Sequence, residues 1–241
     1  MVFVLIGFAA QLVDGALGMA YGQISSTLLI AKGIPPQLAS AGVHTAETFT
    51  TAVSAISHIA HRNVDWRLFV RLVIPGMIGG VVGAYVLTLG ADEAKPFVLA
   101  YLTALGLYLF YRGVMHRHTE RQPKVVSPLG LIGGFLDAAG GGGWGGIVTS
   151  NLLVQGSNPR KTIGTVNTAE FFVTVTISAT FVATLGWQAF TLATVGLLIG
   201  GVFAAPFGAW IAKRVNPDTL LTFVGGLLTL ISLFGLYRAL S

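Results

Sequence analysis

Charged side chains are scarce in this sequence, and cysteine is absent. Aspartate, glutamate, lysine and arginine together make up 10% of the 241 residues, against about 25% in a typical soluble domain. So few charges cannot cover a water-facing surface, which excludes an ordinary soluble protein. The lack of cysteine excludes disulfides, thiolate catalysis and cysteine-ligated metal sites.

The chain consists mostly of long apolar runs. Hydrophobic residues make up 54% of the chain, and the mean hydropathy is +0.77. The runs span residues 3–31, 38–60, 67–90, 96–114, 128–157, 162–185, 187–212 and 219–240. A helix needs about 20 such residues to cross a bilayer, whereas the strands of a membrane barrel have roughly 10 residues of alternating character. The expected fold is an all-α integral membrane protein.

The second half of the chain repeats the first at a constant offset. The stretch HTAETF at 44–49 returns as NTAEFF at 167–172, an offset of 123 residues. Chance explains matched leucines and alanines in apolar sequences, but not matched acids, glycines and prolines. We therefore divide the chain into a first repeat (1–114), a linker (115–127) and a second repeat (128–241). Internal repeats in a membrane protein are typical of transporters.

The basic residues indicate how the two repeats are oriented, because lysine and arginine in short loops mark the cytoplasmic side. If all eight runs cross the membrane, the 14 basic residues divide eight to six between the two sides. If runs 3–31 and 128–157 instead enter and leave on the same side, 11 of the 14 fall on one face. The second arrangement gives the strong bias that membrane proteins show.

Runs 3–31 and 128–157 are also the longest, and each contains a glycine-rich break, DGALGMAYG at 14–22 and DAAGGGGWGG at 137–146. A straight helix of that length would measure about 43 Å, well above the roughly 30 Å hydrocarbon core. We expect two homologous halves of four hydrophobic segments each, arranged as inverted repeats with a re-entrant or broken glycine-rich first segment. Eight full crossings, with the first and fifth runs unwound or tilted, are the alternative.

Four of the nine acidic residues lie inside apolar runs, namely Asp14, Glu47, Asp137 and Glu170. An aspartate at the bilayer centre costs roughly 2.5 kcal/mol even on the lowest scale, so such residues are usually functional. We expect the two glutamates to act in a transport cycle. For the two aspartates, which adjoin the glycine breaks, capping of a helix start is an equally open interpretation.

The first glutamate belongs to a polar stripe. At about 100° per residue, one face of the second run carries Ser40, His44, Glu47, Thr51, Ser54 and His58. The matching face of the second repeat keeps Asn167, Glu170 and Thr174, then becomes apolar. Polar groups at this depth are expected to face the protein interior or a wet cavity. Hydrogen bonding between helices is the alternative use of the stripe.

These residues carry a family resemblance. The pattern DGALGMAYG … GIPPQLASAGVHTAETFTTAVSAISH … NVDWRLF … PGMIGGVVGAYV resembles the TauE/SafE family, the sulfite exporter or toluene-sulfonate permease family. The second copy, GGGGWGG … GSNPRKTIGTVNTAEF, is similar to the same module. The resemblance covers essentially the whole chain. It implies movement of small sulfur-containing anions, such as sulfite or organosulfonates, driven by an ion gradient.

Anion transport coupled to a cation would use both kinds of polar group. Helix N-termini at the glycine breaks offer unpaired N–H groups that attract anions. The expected substrate-binding residues are Gly18, Tyr21, His44, Thr45, Gly141, Trp144, Asn167 and Thr168. The coupling ion, a proton or sodium, is expected at Asp14, Glu47, Asp137 and Glu170. A cation transporter or channel lined by the same carboxylates is the alternative function.

Enzymatic motifs are missing, since the chain contains neither HExxH nor GxSxG. We expect no enzyme activity, no catalytic residue, no metal site and no cofactor. The expected partners are a small anionic substrate and the lipid bilayer, without nucleic acid, and a homodimer is one open assembly. The expected location is the inner (cytoplasmic) membrane, crossed several times. A structural or accessory membrane protein is a third class, but it has little reason to keep the polar stripe.

The inverted arrangement predicts that the loops at residues 32–36 and at Arg160 lie on opposite sides of the membrane. Accessibility tags placed at these two positions and probed from outside intact cells measure this directly. We expect one tag to react and the other to be protected until the cells are opened. Reaction of both tags from the same side would contradict the inverted arrangement.

Overall fold

The computed structural model describes residues 2–31, 34–89, 95–115, 120–140, 142–186 and 192–240, and over these ranges the chain forms helices and no strand. The expected all-α class is confirmed. The elements are α1 (Val2–Leu17), α2 (Tyr21–Ala31), α3 (Pro36–Ala60), α4 (Trp66–Thr88), α5 (Lys95–Val114), α6 (Ser127–Gly140), a π-helical turn (Gly145–Thr149), α7 (Ser150–Val154), α8 (Pro159–Leu185), α9 (Leu192–Arg214) and α10 (Pro217–Leu240).

Helix starts follow the local sequence. Asp65 precedes α4, and its carboxylate accepts hydrogen bonds from the N–H groups of Arg67 and Leu68 at 3.0 and 3.1 Å. Asn158 precedes α8 and accepts from Lys161 N–H at 3.0 Å. Pro159 then occupies the first position of α8, where a missing N–H does no harm.

Among the residues that the structure describes, four helices are long and apolar enough to cross a membrane by length and composition, namely α4, α8, α9 and α10. Their outer faces expose large apolar side chains. Examples are Ile74, Ile78 and Tyr85 on α4, Phe203 and Phe207 on α9, and Leu230 and Phe234 on α10. Such continuous apolar surface is unusual on a water-soluble monomer. The helices therefore define an integral membrane protein whose outer surface faces lipid.

The two longest apolar runs are both interrupted at their glycine clusters, as the sequence predicts. α1 ends at Leu17 and α2 begins at Tyr21, with Gly18 at φ +72° between them. In the second half, Gly142 has φ +125°. Glycine adopts this left-handed backbone without the steric cost that other residues pay, so the clusters end one helix and allow the next to start in a new direction.

The second of these runs turns back on itself. Gln155, just after α7, accepts hydrogen bonds from the N–H groups of Lys124 and Val125, both at 2.9 Å. Arg121 N–H bonds to the carbonyl oxygen of Gly156 at 2.7 Å. A straight helix of the same length would separate these residues by roughly 45–50 Å. The run is thus a helical hairpin that ends where it began.

The first run follows the same course. α1 lies parallel to α9, with Gly7 against Leu197 and Gly15 against Gly208. The hydroxyl of Tyr21, the first residue of α2, donates to the carbonyl oxygen of the same Leu197 at 3.1 Å. The chain has therefore reversed direction between α1 and α2.

Helix packing repeats between the halves. α1 packs along α9, and α6 packs along α4. The counterparts α3 and α8 also pack together, and they are antiparallel because Thr48 meets Ser178 while Ser54 meets Asn167.

The counterparts α5 and α10 behave in the same way. They pack along each other, with Gly106 against Thr229 and Gly113 against Thr222. Residue numbers therefore rise along one helix as they fall along the other, so this pair is antiparallel as well.

Glycine residues allow these pairs of helices to pack closely. A Cβ atom at Gly79 would overlap the carbonyl oxygen of Leu131 in α6, and one at Gly200 would overlap that of Val4 in α1. Both obstacles are backbone atoms, which cannot rotate away. The small residues are thus required by close backbone approach.

Gly200→Ala is expected to destabilise the protein by about 1–3 kcal/mol, the usual range for overpacking a tight contact. Gly226→Ala is the matched control, because the nearest atom to its Cβ would be in the Phe110 side chain at 3.5 Å. Thermal unfolding of the purified proteins in one detergent measures the difference. Equal melting temperatures for the two variants would contradict the packing seen here.

Candidate functional site

The polar stripe of α3 lies in the interior, as predicted. His44 and Ser54 are fully buried, and Glu47 is 2% exposed. Helix α8 crosses the stripe, and the Ser54 hydroxyl donates to the side-chain oxygen of Asn167 at 2.8 Å. Hydrogen bonding between helices, one of the two open interpretations, thus accounts for part of the stripe. It leaves the two glutamates to be explained.

All four acids of the apolar runs line one small cavity, in which the space open to the centre of a water-sized sphere is about 10 Å³. They arrive from four different helices and are each at most 4% exposed. The lining consists of Asp14, Ala20, Tyr21, Gly22, Gln23, Glu47, Asp137, Gly143, Trp144, Gly145, Gly146 and Glu170. The two repeats therefore bring their equivalent carboxyl groups to a common place.

The hairpin tips meet beside this cavity. A Cβ at Gly142 would overlap the backbone of Gly22, and one at Gly145 would overlap the carbonyl oxygen of Gly18. The Thr149 hydroxyl donates to that same Gly18 oxygen at 2.8 Å. The glycine clusters are thus needed for the two tips to touch, and this contact places both helix starts at the cavity.

The two aspartates cap the second arms of the hairpins. Asp137 Oδ1 accepts hydrogen bonds from the N–H groups of Gly143 and Trp144 at 2.7 and 2.9 Å. Asp14 accepts from the N–H of Tyr21, the equivalent position in the first repeat. Capping, left open by the sequence, is therefore one role of these residues. The second oxygen of Asp14 has no hydrogen-bond partner.

His44 supplies a partner for the other aspartate. Its Nδ1 lies 2.8 Å from the carbonyl oxygen of Ser40 and must donate to it. Its Nε2 lies 3.2 Å from Asp137 Oδ2 and 3.9 Å from Glu47 Oε2. A hydrogen bond between Nε2 and the carboxyl needs a proton on one of the two groups. In addition to the proton on Nδ1, the His44–Asp137 pair therefore holds one proton between Nε2 and the carboxyl group, and the pair has no net charge.

The remaining acids lack such compensation. Asp14 Oδ2, Glu47 Oε2 and Glu170 Oε2 are buried without a hydrogen-bond partner. Of the described residues that line the cavity, none is a lysine or an arginine. Several unpaired carboxylates cannot stay ionised together at this depth, so protons or a cation must neutralise them. Within the described ranges, no three His, Asp or Glu side chains are grouped closely enough to hold a metal ion.

Several predicted substrate-binding residues lie off the cavity lining. The hydroxyl groups of Thr45 and Thr168 donate to their own helices, at Ala41 and Gly164. Asn167 is bound to Ser54 and to the carbonyl oxygen of Ile163.

The other predicted residues have different positions. His44 does not line the cavity but contacts the lining residue Asp137. Gly18 lies in the contact between the two hairpin tips. Gly141 lies outside the described residues.

Tyr21 and Trp144 do line the cavity, but their polar ends point elsewhere. The Tyr21 hydroxyl donates to Leu197, and Trp144 Nε1 donates to the carbonyl oxygen of Val166 at 3.2 Å. Both rings therefore anchor the start of a hairpin arm. Gln23 is a lining residue that the sequence analysis missed. The signal for it was a polar residue directly after the first glycine cluster of an apolar run.

Broken helices with buried carboxyl groups around a shared cavity are typical of membrane transporters. Comparison with known proteins gives the same class. The family model "Sulfite exporter TauE/SafE" matches residues 3–235, so the chain belongs to this family of membrane transporters.

A curated relative has the same character. The chain is 44% identical to "Probable membrane transporter protein YtnM" of Bacillus subtilis (strain 168) over 241 residues, covering 96% of this chain and 80% of that protein. No solved structure matches the chain.

The two caps should differ in their contribution to stability. Asp137→Ala leaves two N–H groups without an acceptor and the imidazole of His44 without its carboxyl partner. Asp14→Ala removes the acceptor of one backbone N–H group and of the Gln11 amide. We expect Asp137→Ala to cost about 1–3 kcal/mol more than Asp14→Ala. Thermal unfolding of both variants beside the unaltered protein measures this. Equal losses, or a larger loss for Asp14→Ala, would contradict the assigned hydrogen bonds.

Proposed function

We propose that the protein is a secondary transporter of small sulfur-containing anions, sulfite or organosulfonates, across the cytoplasmic membrane. In this proposal, protons or sodium ions drive transport by binding to the buried carboxyl groups. The observation that carries it is the cavity at the hairpin tips, where helix starts that attract anions meet four acids and no basic side chain among the lining residues.

The helix starts supply the binding groups for the anion. α2 and the helical segment Gly145–Val154 both begin at the cavity. The first-turn N–H groups of a helix have no acceptor within it, and the positive end of the helix dipole lies there. The aspartates use the N–H groups of Tyr21, Gly143 and Trp144. The next groups along each arm, at Gly22 and Gly145, line the cavity and would bind the substrate.

The acids supply the coupling. Two like charges about 6 Å apart repel by roughly 3 kcal/mol at an effective dielectric of 20, so an anion cannot enter while the neighbouring carboxylates are ionised. Protonation, or a sodium ion, removes this repulsion. Anion binding and cation binding thereby favour each other, which is the linkage that a coupled carrier requires.

We also propose that the two halves are inverted repeats with re-entrant first segments. The antiparallel packing of α3 with α8 and of α5 with α10 supports this. A pseudo-two-fold axis along the membrane normal would make equivalent helices parallel, whereas an axis in the membrane plane makes them antiparallel. Inversion would let the halves rock against each other and open the cavity to one side at a time.

The orientation rests on the loops between the helices. Lys161 Nζ donates to the carbonyl oxygens of Arg62 and Val64, at 2.8 and 3.2 Å. Arg71 donates to the carbonyl oxygen of Lys124 at 3.1 Å. These contacts join basic loops of both halves, and the positive-inside rule makes such an end cytoplasmic.

The proposed partners are the bilayer and the anion, without nucleic acid. The proposed assembly is a homodimer, which native mass spectrometry would test.

Flux into proteoliposomes tests the function. We expect sulfite or a simple sulfonate to move in a saturable manner, faster when a proton or sodium gradient is imposed. In Glu47→Gln and Glu170→Gln proteins, we expect the response to the gradient to fall at least about tenfold, because each loses an ionisable oxygen at the cavity. Glu120→Gln is the control, since Glu120 is an exposed acid bonded to Asn158.

Unaltered coupling in both glutamate variants would show that these two carboxyl groups do not bind the driving cation. The second candidate function is a cation pathway, favoured by the three carboxyl oxygens that lack a hydrogen-bond partner. It predicts flux of sodium or metal ions without any sulfur anion. The same proteoliposomes distinguish the two, because the coupled carrier moves cations only when the anion is present.

A further inference from the structure

Behind the cavity lining, the two halves differ at a pair of equivalent residues, His44 in α3 and Asn167 in α8. Both side chains make the same bond to their own helix, His44 to the Ser40 carbonyl at 2.8 Å and Asn167 to the Ile163 carbonyl at 3.2 Å. They differ in what they offer to the aspartate of the facing hairpin. An imidazole can carry a positive charge, whereas an amide cannot.

The difference is visible at the two aspartates. His44 Nε2 reaches the carboxyl oxygen of Asp137 at 3.2 Å. Asn167 reaches only the backbone oxygen of Asp14, at 3.4 Å, and Asp14 Oδ2 has no partner although the residue is 1% exposed. The Asp137 half thus contains an imidazole that can neutralise its aspartate, whereas the equivalent position beside Asp14 holds an uncharged amide.

Other groups around Asp14 do not supply a positive charge. Tyr21, Glu47, Asp137 and Glu170 share the cavity with it, and each is neutral or acidic. Gln11, one turn earlier in α1, has its side-chain amide beside Asp14, but an amide carries no charge.

The nearest histidine on this side is His58, and its bonds keep it neutral. Its Nε2 donates to the Gly15 carbonyl at 2.9 Å, and its Nδ1 accepts from the amide of Asn63 at 3.2 Å. A neutral imidazole has one donor and one acceptor, and both are used in these two bonds.

We propose that the Asp14 half of the cavity binds one exchangeable monovalent cation, a proton or a sodium ion, and that His44 permanently fills the equivalent position beside Asp137. This rests on the proposed function, since it assigns the coupling ion to one of the two halves. Asp14 Oδ2, buried without a hydrogen-bond partner, supplies the negative oxygen atom that either cation would contact, and Glu47 and Glu170 line the same cavity. The duplicated cavity would thereby bind one driving cation rather than two.

Exchanging the two equivalent residues, His44 and Asn167, tests this assignment of the cation to one half. Asn167→His places an imidazole beside Asp14, and His44→Asn removes the one beside Asp137. Thermal stability of the purified protein is measured with sodium against choline at constant ionic strength, and at acidic against alkaline pH. A cation that binds only the folded protein raises its melting temperature. The unaltered protein should gain several degrees with sodium or with protons, whichever is the ligand.

Each variant has a distinct expected result. Asn167→His should lose the cation-dependent gain, because its own imidazole occupies the site. His44→Asn should show a larger gain, because a second site is opened. The double variant His44→Asn with Asn167→His should regain a response of about the original size. An undiminished response in Asn167→His would overturn the inference.

A second pair of variants keeps the test decisive if the imidazole at position 167 prevents folding. Asp14→Asn mimics the neutralised carboxyl and should melt at the same temperature with and without the cation. Asp137→Asn should keep the response. The reverse pattern would overturn the inference. Because no anion is present, the outcome is separate from that of the flux experiment, and failure to transport sulfur anions would contradict the proposed function alone.

Discussion

The burial of four carboxyl groups beside a single imidazole is the constraint on which the rest of the structure depends. An ionised carboxylate at membrane depth is costly unless it is paired or hydrogen-bonded. The fold meets this cost in part, through the helix caps at Asp14 and Asp137 and through His44. One oxygen each of Glu47 and Glu170 remains without a hydrogen-bond partner, so uptake of protons or cations would stabilise these acids. The proposed transporter would use this uptake of a cation to drive its cycle.

The hairpins follow from the same constraint. A continuous helix has no free N–H groups at its centre, whereas a broken one offers them at mid-membrane. The glycine clusters permit the break and let the two tips touch, with Gly145 against Gly18. The capping aspartates then satisfy some of the exposed N–H groups and leave others facing the cavity. In the proposed function, this one arrangement would provide both a place for an anion and the acids that control its entry.

Much of this organisation could be predicted from the sequence, because long apolar runs, glycine breaks and buried acids are local features. The pairing of His44 with Asp137 could not, since it depends on how α3 packs against a hairpin 93 residues away. The hydrogen bonds of the Thr45 and Thr168 hydroxyl groups to their own helices could not be predicted either. A threonine in a helix bonds its own backbone as readily as a ligand, and only the packing decides which. The inverted arrangement, predicted from basic residues, remains a proposal.

The most direct test of the central claim is the affinity of the purified protein for a simple alkanesulfonate, measured by calorimetry across pH and sodium concentration. A sulfonate keeps its charge over this range, so any change in affinity belongs to the protein. The account predicts tighter binding as the pH falls or as sodium rises, because neutralised carboxyl groups no longer repel the anion. An affinity that depends on neither would contradict it.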